Sequence, residues 1–154
     1  QGTHDAQNLS IDLQITGSEL GEISYSFNGT STETFLKNRL GLCLLHPVAT
    51  LAGKKCSLIR ADGSIEESQF PTKISPNQPF LNLAGISHKL ESGTTATIEF
   101  EGEIFETEDH RNWSDASYKT YCTPISLPFP VPIKVGVPIK QSINISLARS
   151  ESEF

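Results

Sequence analysis

The chain has 154 residues, a length that fits one domain with a core large enough to be stable without disulfides or a metal ion. Hydrophobic residues make up 36% of it, and 11 glycines and 9 prolines favour short strands and many turns over long helices. The formal net charge of −6, with acidic and basic residues mixed along the chain, argues against nucleic acid or an anionic membrane surface as a partner.

The two ends of the chain carry little pattern. No apolar run approaches the roughly 18–20 residues of a membrane helix, and the first residues lack the basic and apolar regions of a signal peptide. We therefore expect a cytoplasmic protein with no membrane partner. We interpret residues 1–8 as a tag, linker or disordered start, residues 9–148 as a β-sandwich domain, and residues 149–154 as a linker tail.

The N-terminal part of the expected domain alternates apolar and polar residues. Leucine or isoleucine recurs at every second position of residues 9–15, and residues 23–27 alternate similarly, each segment closed by a glycine-containing break. This period of two predicts two half-buried strands. Residues 34–39 fit either a turn of helix or an irregular strand. Residues 41–45 form a continuous apolar run stopped by a His-Pro pair, which predicts a buried central strand.

Two hairpins are predicted in the middle of the chain. Asp62-Gly63 lies between strand-like runs at residues 55–60 and 65–70, which is the strongest short-range hairpin signal available. Residues 94–100 alternate well, and residues 104–108 continue after a Glu-Gly-Glu break. This second arrangement also predicts a hairpin, with the glycine in its turn.

Proline punctuates much of the remaining sequence. Three prolines in residues 71–79 predict a loop, and five prolines interleaved with apolar residues at 124–138 predict an extended, edge-like path. Alternating apolar residues at 143–147 predict a final strand. No sustained helical period or long repeat is present. The predicted fold class is therefore all-β: an antiparallel β-sandwich, or one half of a larger sandwich.

The three cysteines are widely spaced and form no CxxC metal or redox pair. Free cysteine is usually buried, so we expect reduced thiols in the core at Cys43, Cys56 and Cys122. Reduced thiols also favour a cytoplasmic location.

The densest polar stretch covers residues 106–121. On a strand, Glu106 and Glu108 point to one face, so their carboxylates could stand about 7 Å apart, a separation on which acid/base pairs are built. The alternative, which we favour, is a solvated strand face opposite a buried Phe105. No nucleophile elbow or phosphate-binding loop occurs, and we assign no catalytic residue.

Residues 109–115 lose the strand period and combine carboxylate, imidazole, guanidinium, amide and indole groups. Such a set suits a sugar, which needs planar donors and acceptors beside an aromatic platform. The same residues also fit a structural corner, with Arg111 bridging Asp109 or Asp115 and Trp113 capping the core. The candidates for substrate binding or an interface are Glu108, Asp109, His110, Arg111, Asn112, Trp113, Asp115 and Lys119, with His46 and His88.

Three of the histidines invite a metal interpretation. His46, His88 and His110 could together form a three-histidine site. No pair of them has the spacing of common metal motifs, so we expect neither a metal ion nor a cofactor.

Three ordered segments resemble the N-terminal region of the D-apionate lactonase family. They are residues 106–121, ETEDHRNWSDASYKTY; residues 38–47, NRLGLCLLHP; and residues 74–80, ISPNQPF. Together they span most of positions 22–147. Departures from the family pattern are small, such as His110 where we expect Gln, Ser114 for Thr and Tyr118 for Phe.

The resemblance implies a bacterial enzyme of sugar-acid catabolism that hydrolyses the lactone of apionate. In that family a β-sandwich region precedes a TIM-barrel domain and a C-terminal β domain, and this chain lacks the first strands and the barrel. The chain is then a non-catalytic portion, with the barrel domain and a sugar-acid lactone as partners. The alternative is a stand-alone carbohydrate-binding module, in which Trp113, Tyr118 or Tyr121 stacks on a sugar ring.

Overall fold

The computed structural model describes residues 9–149, so the predictions for residues 1–8 and for the tail beyond 149 lie outside the described residues. None of the helical segments among residues 9–149 is long and apolar enough to cross a membrane. The predicted all-β class is confirmed. The strands are β1 (Leu9–Gly17), β2 (Glu22–Ser31), β3 (Phe35–Lys37), β4 (Cys43–Pro47), β5 (Lys55–Arg60), β6 (Ile65–Gln69), β7 (Phe80–Lys89), β8 (Thr95–Glu101), β9 (Phe105–Asp109), β10 (Ser117–Tyr121), β11 (Val131–Ile133) and β12 (Ile139–Ala148). One short helix, α1 (Val48–Leu51), and one turn of 3-10 helix, η1 (His110–Trp113), interrupt them.

The main sheet is antiparallel and curls around one core. Its hydrogen-bonded order is β1-β2-β12-β8-β7-β9-β10-β4, and the hairpin of β5 and β6 pairs with β7 on that strand's other side. β3 and β11 form a separate two-stranded sheet. The curl gives the antiparallel sandwich that the sequence predicts.

The position of β7 corrects the predicted second hairpin. β8 and β9 do not pair with each other; they lie end to end against successive parts of β7, with Gly85 opposite Glu99 and Leu83 opposite Phe105. Gly102 (φ +92°) lies between them, where an added Cβ would collide with the carbonyl group of Lys140 in β12. The glycine serves a close approach of two backbones rather than a hairpin turn, so that prediction was wrong.

Several local predictions are confirmed. β5 and β6 form the Asp-Gly hairpin, with Gly63 at φ +83° in its turn. Residues 34–39 contain the irregular strand β3, and the proline-rich segment contributes β11, which pairs with it. The two N-terminal strands form as a pair, and the final strand is β12, which lies inside the sheet between β2 and β8.

The predicted buried central strand is wrong. β4 is the terminal strand of the sheet order, and both Cys43 and Leu45 are exposed while His46 is buried. An apolar run does not reveal whether a second strand will cover its outer side, and Pro47, which lacks a backbone donor, suits an edge. The prediction of a core thiol is therefore wrong for Cys43.

The other two cysteines are buried, as predicted, and all three are free thiols. Burial raises the pKa of Cys56 to about 11 and that of Cys122 to about 12, so both stay protonated at neutral pH.

Aromatic rings join the two halves of the curled sheet. Phe100 of β8 and Phe105 of β9 stack with ring centroids 4.5 Å apart. Phe70 lies 5.3 Å from Phe80 and 5.2 Å from Tyr118, which ties the loop after β6 to β7 and β10. Packing of these large rings fixes the turn between β9 and β10 at the margin of the core.

Candidate functional site

The turn between β9 and β10 is built on Asp109, the last residue of β9. Its fully buried carboxylate accepts hydrogen bonds from the backbone N–H of Arg111 at 3.2 Å and from that of Ser75 at 2.9 Å. The Arg111 guanidinium adds bonds of 2.8 and 2.7 Å, so the predicted bridge from Arg111 to Asp109 is confirmed. Burial alone would raise the pKa of Asp109, but these hydrogen bonds hold it below its usual range.

Arg111 also fastens the loop of residues 71–79 to this turn. Its guanidinium donates to the carbonyl oxygens of Pro71, Thr72 and Lys73 at 2.9–3.0 Å, and it lies 5.2 Å from the centre of the Tyr118 ring. The cation therefore combines hydrogen bonds to five acceptor oxygens with a contact to one π-system. We call residues 108–115 the polar corner.

Asn112 makes the second attachment of the polar corner. Its side-chain amide donates to the carbonyl oxygen of Ser75 at 2.6 Å and to that of Asp109 at 3.0 Å. Ser114 ends the 3-10 turn in the left-handed region at φ +65°. The short turn is therefore held at both ends by hydrogen bonds rather than by buried apolar side chains.

Trp113 does not cap the core, contrary to the structural alternative. Its side chain is 70% exposed, and its indole Nε1 donates to Glu108 Oε1 at 2.8 Å. The buried position beneath the turn is occupied by Tyr118 instead. The indole is therefore open to solvent yet oriented by a carboxylate.

A cleft of about 270 Å³ lies beside this indole. It combines one aromatic surface with amide and carboxylate groups, since its lining residues are Pro76, Asn77, Gln78, Glu108, Asn112 and Trp113. A larger cleft of about 400 Å³ lies between α1 and the turn after β7, and it contains none of the predicted site residues. We favour the smaller one because its donors, acceptors and indole converge.

His110, Asp115 and Lys119 occupy the rim of the polar corner. The His110 ring lies 3.5 Å from the Asp115 carboxylate and 3.8 Å from that of Glu108. Lys119 of β10 lies opposite Glu108 of β9 in the strand register, and its ammonium group lies 5.7 Å from the centre of the Tyr121 ring. None of the three lines the cleft.

Glu106 is fully buried, so the predicted solvated strand face is wrong at this residue. Its Oε1 accepts hydrogen bonds from the Tyr121 hydroxyl at 2.5 Å and from the backbone N–H of Ile125 at 2.7 Å. Burial, followed by this carboxylate, raises the pKa of Tyr121. Glu106 and Glu108 thus hold different partners, and the geometry gives no acid/base pair.

Two of the three candidate metal histidines do lie together. The rings of His46 and His88 are 6.4 Å apart, and both contact Phe70. His46 Nε2 is 2.8 Å from the hydroxyl of Thr120. Burial lowers the pKa of His46 to about 4 and also lowers that of His88, so both rings are neutral at pH 7.

His110 interacts with carboxylates of the polar corner rather than with that pair. Among residues 9–149 no group of three or more histidine, cysteine, aspartate or glutamate side chains is arranged to hold a metal ion. The buried pair is better described as part of the core, where His46 satisfies a threonine hydroxyl.

Comparison with known proteins gives two matches. The family model described as the N-terminal domain of D-apionate lactonase matches residues 1–150. A protein named D-apionate lactonase, from Brucella anthropi, is 39% identical over 144 residues, which covers 94% of this chain and 24% of that relative. The chain thus spans about a quarter of the length of the curated relative that it matches.

Proposed function

The chain belongs to the D-apionate lactonase N-terminal domain family, and from this membership we propose that it is the non-catalytic β-sandwich portion of a lactonase-like hydrolase. The proposed substrate is a sugar-acid lactone of the D-apionate type, and the proposed setting is carbohydrate catabolism in a bacterial cytoplasm. The 24% share of the relative that this chain covers supports a longer protein with further domains. A TIM barrel, which the family resemblance implies, is the proposed neighbour, and the catalytic groups of barrel enzymes lie on its C-terminal face.

In the proposed reaction, water adds to the lactone carbonyl carbon and the ring C–O bond then breaks. A base takes the proton from water, a hydrogen-bond donor stabilises the oxyanion, and the ring oxygen leaves as a hydroxyl group. We assign those roles to the rest of the protein. The role of this chain is to present the polar corner, as a rigid surface, to the neighbouring domain or to the sugar.

The observation that best supports this role is the exposure and fixed orientation of the Trp113 indole. An indole that is 70% exposed is unusual, because leaving a large apolar ring in water costs free energy, and here the hydrogen bond to Glu108 also fixes the direction of the ring. Aromatic anchors of this kind dominate binding interfaces and stack on sugar rings. The ion pair between the buried Asp109 and Arg111, whose side chain is 16% exposed, fixes the same turn and removes freedom that binding would otherwise have to restrict.

The test is substitution in the full-length protein that contains this chain. We expect Trp113→Ala and Arg111→Ala each to lower kcat/KM for a sugar-acid lactone by about tenfold, the loss of roughly one well-made contact. Trp113→Phe keeps the aromatic surface but loses the bond to Glu108, so its effect should be smaller. Phe129→Ala, which removes an exposed aromatic ring outside the polar corner, is the control.

Unchanged stability and unchanged kinetics in both alanine variants would remove the proposed role. A fall in stability with unchanged kinetics per folded molecule would leave the polar corner as a structural feature only.

A stand-alone carbohydrate-binding module is the second candidate function, and the cleft beside Trp113 supports it. Tyr118 and Tyr121 are buried and offer no stacking face, so Trp113 alone of the three rings would contact the sugar. Calorimetric titration of the 154-residue chain with neutral sugars and sugar lactones separates the two functions. Binding by the chain alone, abolished by Trp113→Ala, would favour the module.

A further inference from the structure

One end of the apolar sheet face has no cover among the described residues. On β1, β2 and β12 the side chains that continue the core face become exposed: Leu13 by 39%, Ile15 by 70%, Ile23 by 46% and Leu147 by 43%. Leu20, in the turn between β1 and β2, is 81% exposed. We call these five residues the open face.

The strand register shows that the open face is an extension of the core. Ile15 is opposite Tyr25, Tyr25 is opposite Ile143, and Ile143 is opposite Phe100. Residues directly opposite in antiparallel strands share a face, so these four form one row. Ile143 is only 1% exposed. Within the row, burial therefore falls towards the sheet edge although every side chain is aliphatic or aromatic.

A second row repeats the gradient. Ile23 is opposite Ile145, which is opposite Ile98. Ile98 is buried, Ile145 is half-buried and Ile23 is exposed. Leu147 lies next to the turn between β1 and β2, because a Cβ added to Gly21 in that turn would lie 3.5 Å from the Cβ of Leu147. Leu147 therefore belongs to the same surface. The exposed side chains are contiguous, unlike the single exposed apolar residues that any protein shows.

The open face carries no charge. The charged residues of β1, β2, β8 and β12 occupy the alternate positions, which point to the opposite face of the sheet: Asp12, Glu22, Glu99, Glu101 and Lys140. None of the five side chains of the open face is a hydrogen-bond donor or acceptor, so a sugar or an anion would find no polar partner among them; the half-buried Tyr25 lies beside Ile15 in the same row. Its chemistry fits an apolar protein surface instead.

We propose that the open face is the docking surface for the remainder of the same polypeptide, which packs an apolar surface of its next domain against β1, β2 and β12. Two observations select this occupant. The matched relative extends far beyond the segment that this chain covers, which is 24% of its length. β12 carries Leu147 into the open face and ends at Ala148, so the last described residues lie beside that face. The inference rests on the proposed function, since both assume a longer protein.

The test compares lysine substitutions in the full-length protein. Ile15→Lys and Leu147→Lys place a charge in the open face. Thr16→Lys and Ser146→Lys are matched controls, because they are exposed neighbours on the same strands that point to the other face. Scanning calorimetry should show the sandwich melting together with the next domain in the wild type and in both controls, and as a separate transition in Ile15→Lys and Leu147→Lys.

Two further measurements complete the test. In the 154-residue chain all four substitutions should leave the urea midpoint nearly unchanged, which excludes misfolding as the cause of uncoupling. In hydrogen exchange, amides of β1 and β2 should exchange more slowly in the full-length protein than in the isolated chain. Identical melting of open-face and control variants would overturn the proposal, and so would a natural reading frame that ends near residue 154.

Lactone hydrolysis, measured on the same preparations, separates this proposal from the proposed function. If the wild type hydrolyses the lactone and the Ile15→Lys variant melts as the wild type does, docking is refuted and the proposed function stands. If Ile15→Lys separates the two melting transitions but the wild type does not hydrolyse the lactone, the proposed function is refuted and docking stands. A concentration-dependent dimer of the isolated chain that Ile15→Lys dissociates would assign the open face to a second copy and overturn the proposal.

Discussion

The polar corner and the open face both expose groups that proteins usually shelter, but they are built in opposite ways. In the polar corner, Trp113 is held by Glu108, in a turn that the ion pair of Arg111 with the buried Asp109 fixes. In the open face, Ile15 belongs to the same row as the buried Ile143 and has no covering layer within residues 9–149. The polar corner is therefore fixed by its own hydrogen bonds, whereas the open face continues the apolar core without a cover among the described residues.

The largest expected effect comes from breaking the foundation of the polar corner. Asp109→Ala should lower the free energy of unfolding of the chain by about 4 kcal/mol, because it leaves the Arg111 cation without its buried partner. Urea denaturation measures this. Asp115→Ala, at the exposed rim, is the control and should cost about 0.5 kcal/mol or less. Equal costs for the two variants would mean that the polar corner is no more organised than an ordinary surface loop.

The second prediction compares two isoleucines of one row in the sheet. Ile143→Ala should cost about 3 kcal/mol in the 154-residue chain, since it opens a cavity in the core. Ile15→Ala should cost about 0.5 kcal/mol or less, because its side chain is already in water. Urea midpoints of both variants give the answer. A large cost at Ile15 would show that the open face is covered within the isolated chain.

The smallest predicted effect concerns acid and the polar interior under β10. In the folded chain burial lowers the pKa of His46 from 6.5 to about 4, so on acidification the unfolded chain takes up the proton first. The stability that neutral His46 contributes is therefore fully present above pH 6.5 and is lost as the pH drops towards 4. Between pH 7 and about pH 4.5 this histidine should account for a loss on the order of 2 kcal/mol.

The difference between wild type and His46→Gln isolates that loss, because carboxylates titrate in both proteins. Urea denaturation across this pH range should give a shallower decline for His46→Gln. Parallel declines would show that His46 is accessible to protons in the folded chain. The open face contains no titratable group and should contribute nothing to either curve.

Local rules of sequence predicted most elements but not their cover. Asp62-Gly63 specifies its hairpin because the turn needs a residue at positive φ, and alternation in β12 specifies which side chains face the core. Alternation is the same for Ile15 and Ile143, however, so it cannot tell which of them another layer will bury. The same limit explains the errors at β4, an edge strand, and at Glu106, which is buried and accepts a hydrogen bond from the backbone N–H of Ile125.

The candidate site was partly predictable for a related reason. Residue types alone marked 109–115 as a polar, aromatic loop, and the bridge from Arg111 to Asp109 followed from opposite charge. The outward direction of Trp113 depends on the tight 3-10 turn and on the loop of residues 71–79, about 40 positions earlier in the chain, which Arg111 reaches. No pattern within residues 109–115 encodes that contact, nor does any signal mark the neighbouring cleft.

We propose that this chain supports lactone hydrolysis without performing it. The direct test is the initial rate of hydrolysis of a sugar-acid lactone by the 154-residue chain and by the full-length protein at equal molar concentration. The account predicts turnover by the full-length protein and no rate above buffer for the chain alone. Hydrolysis by the isolated chain at the full-length rate would contradict it.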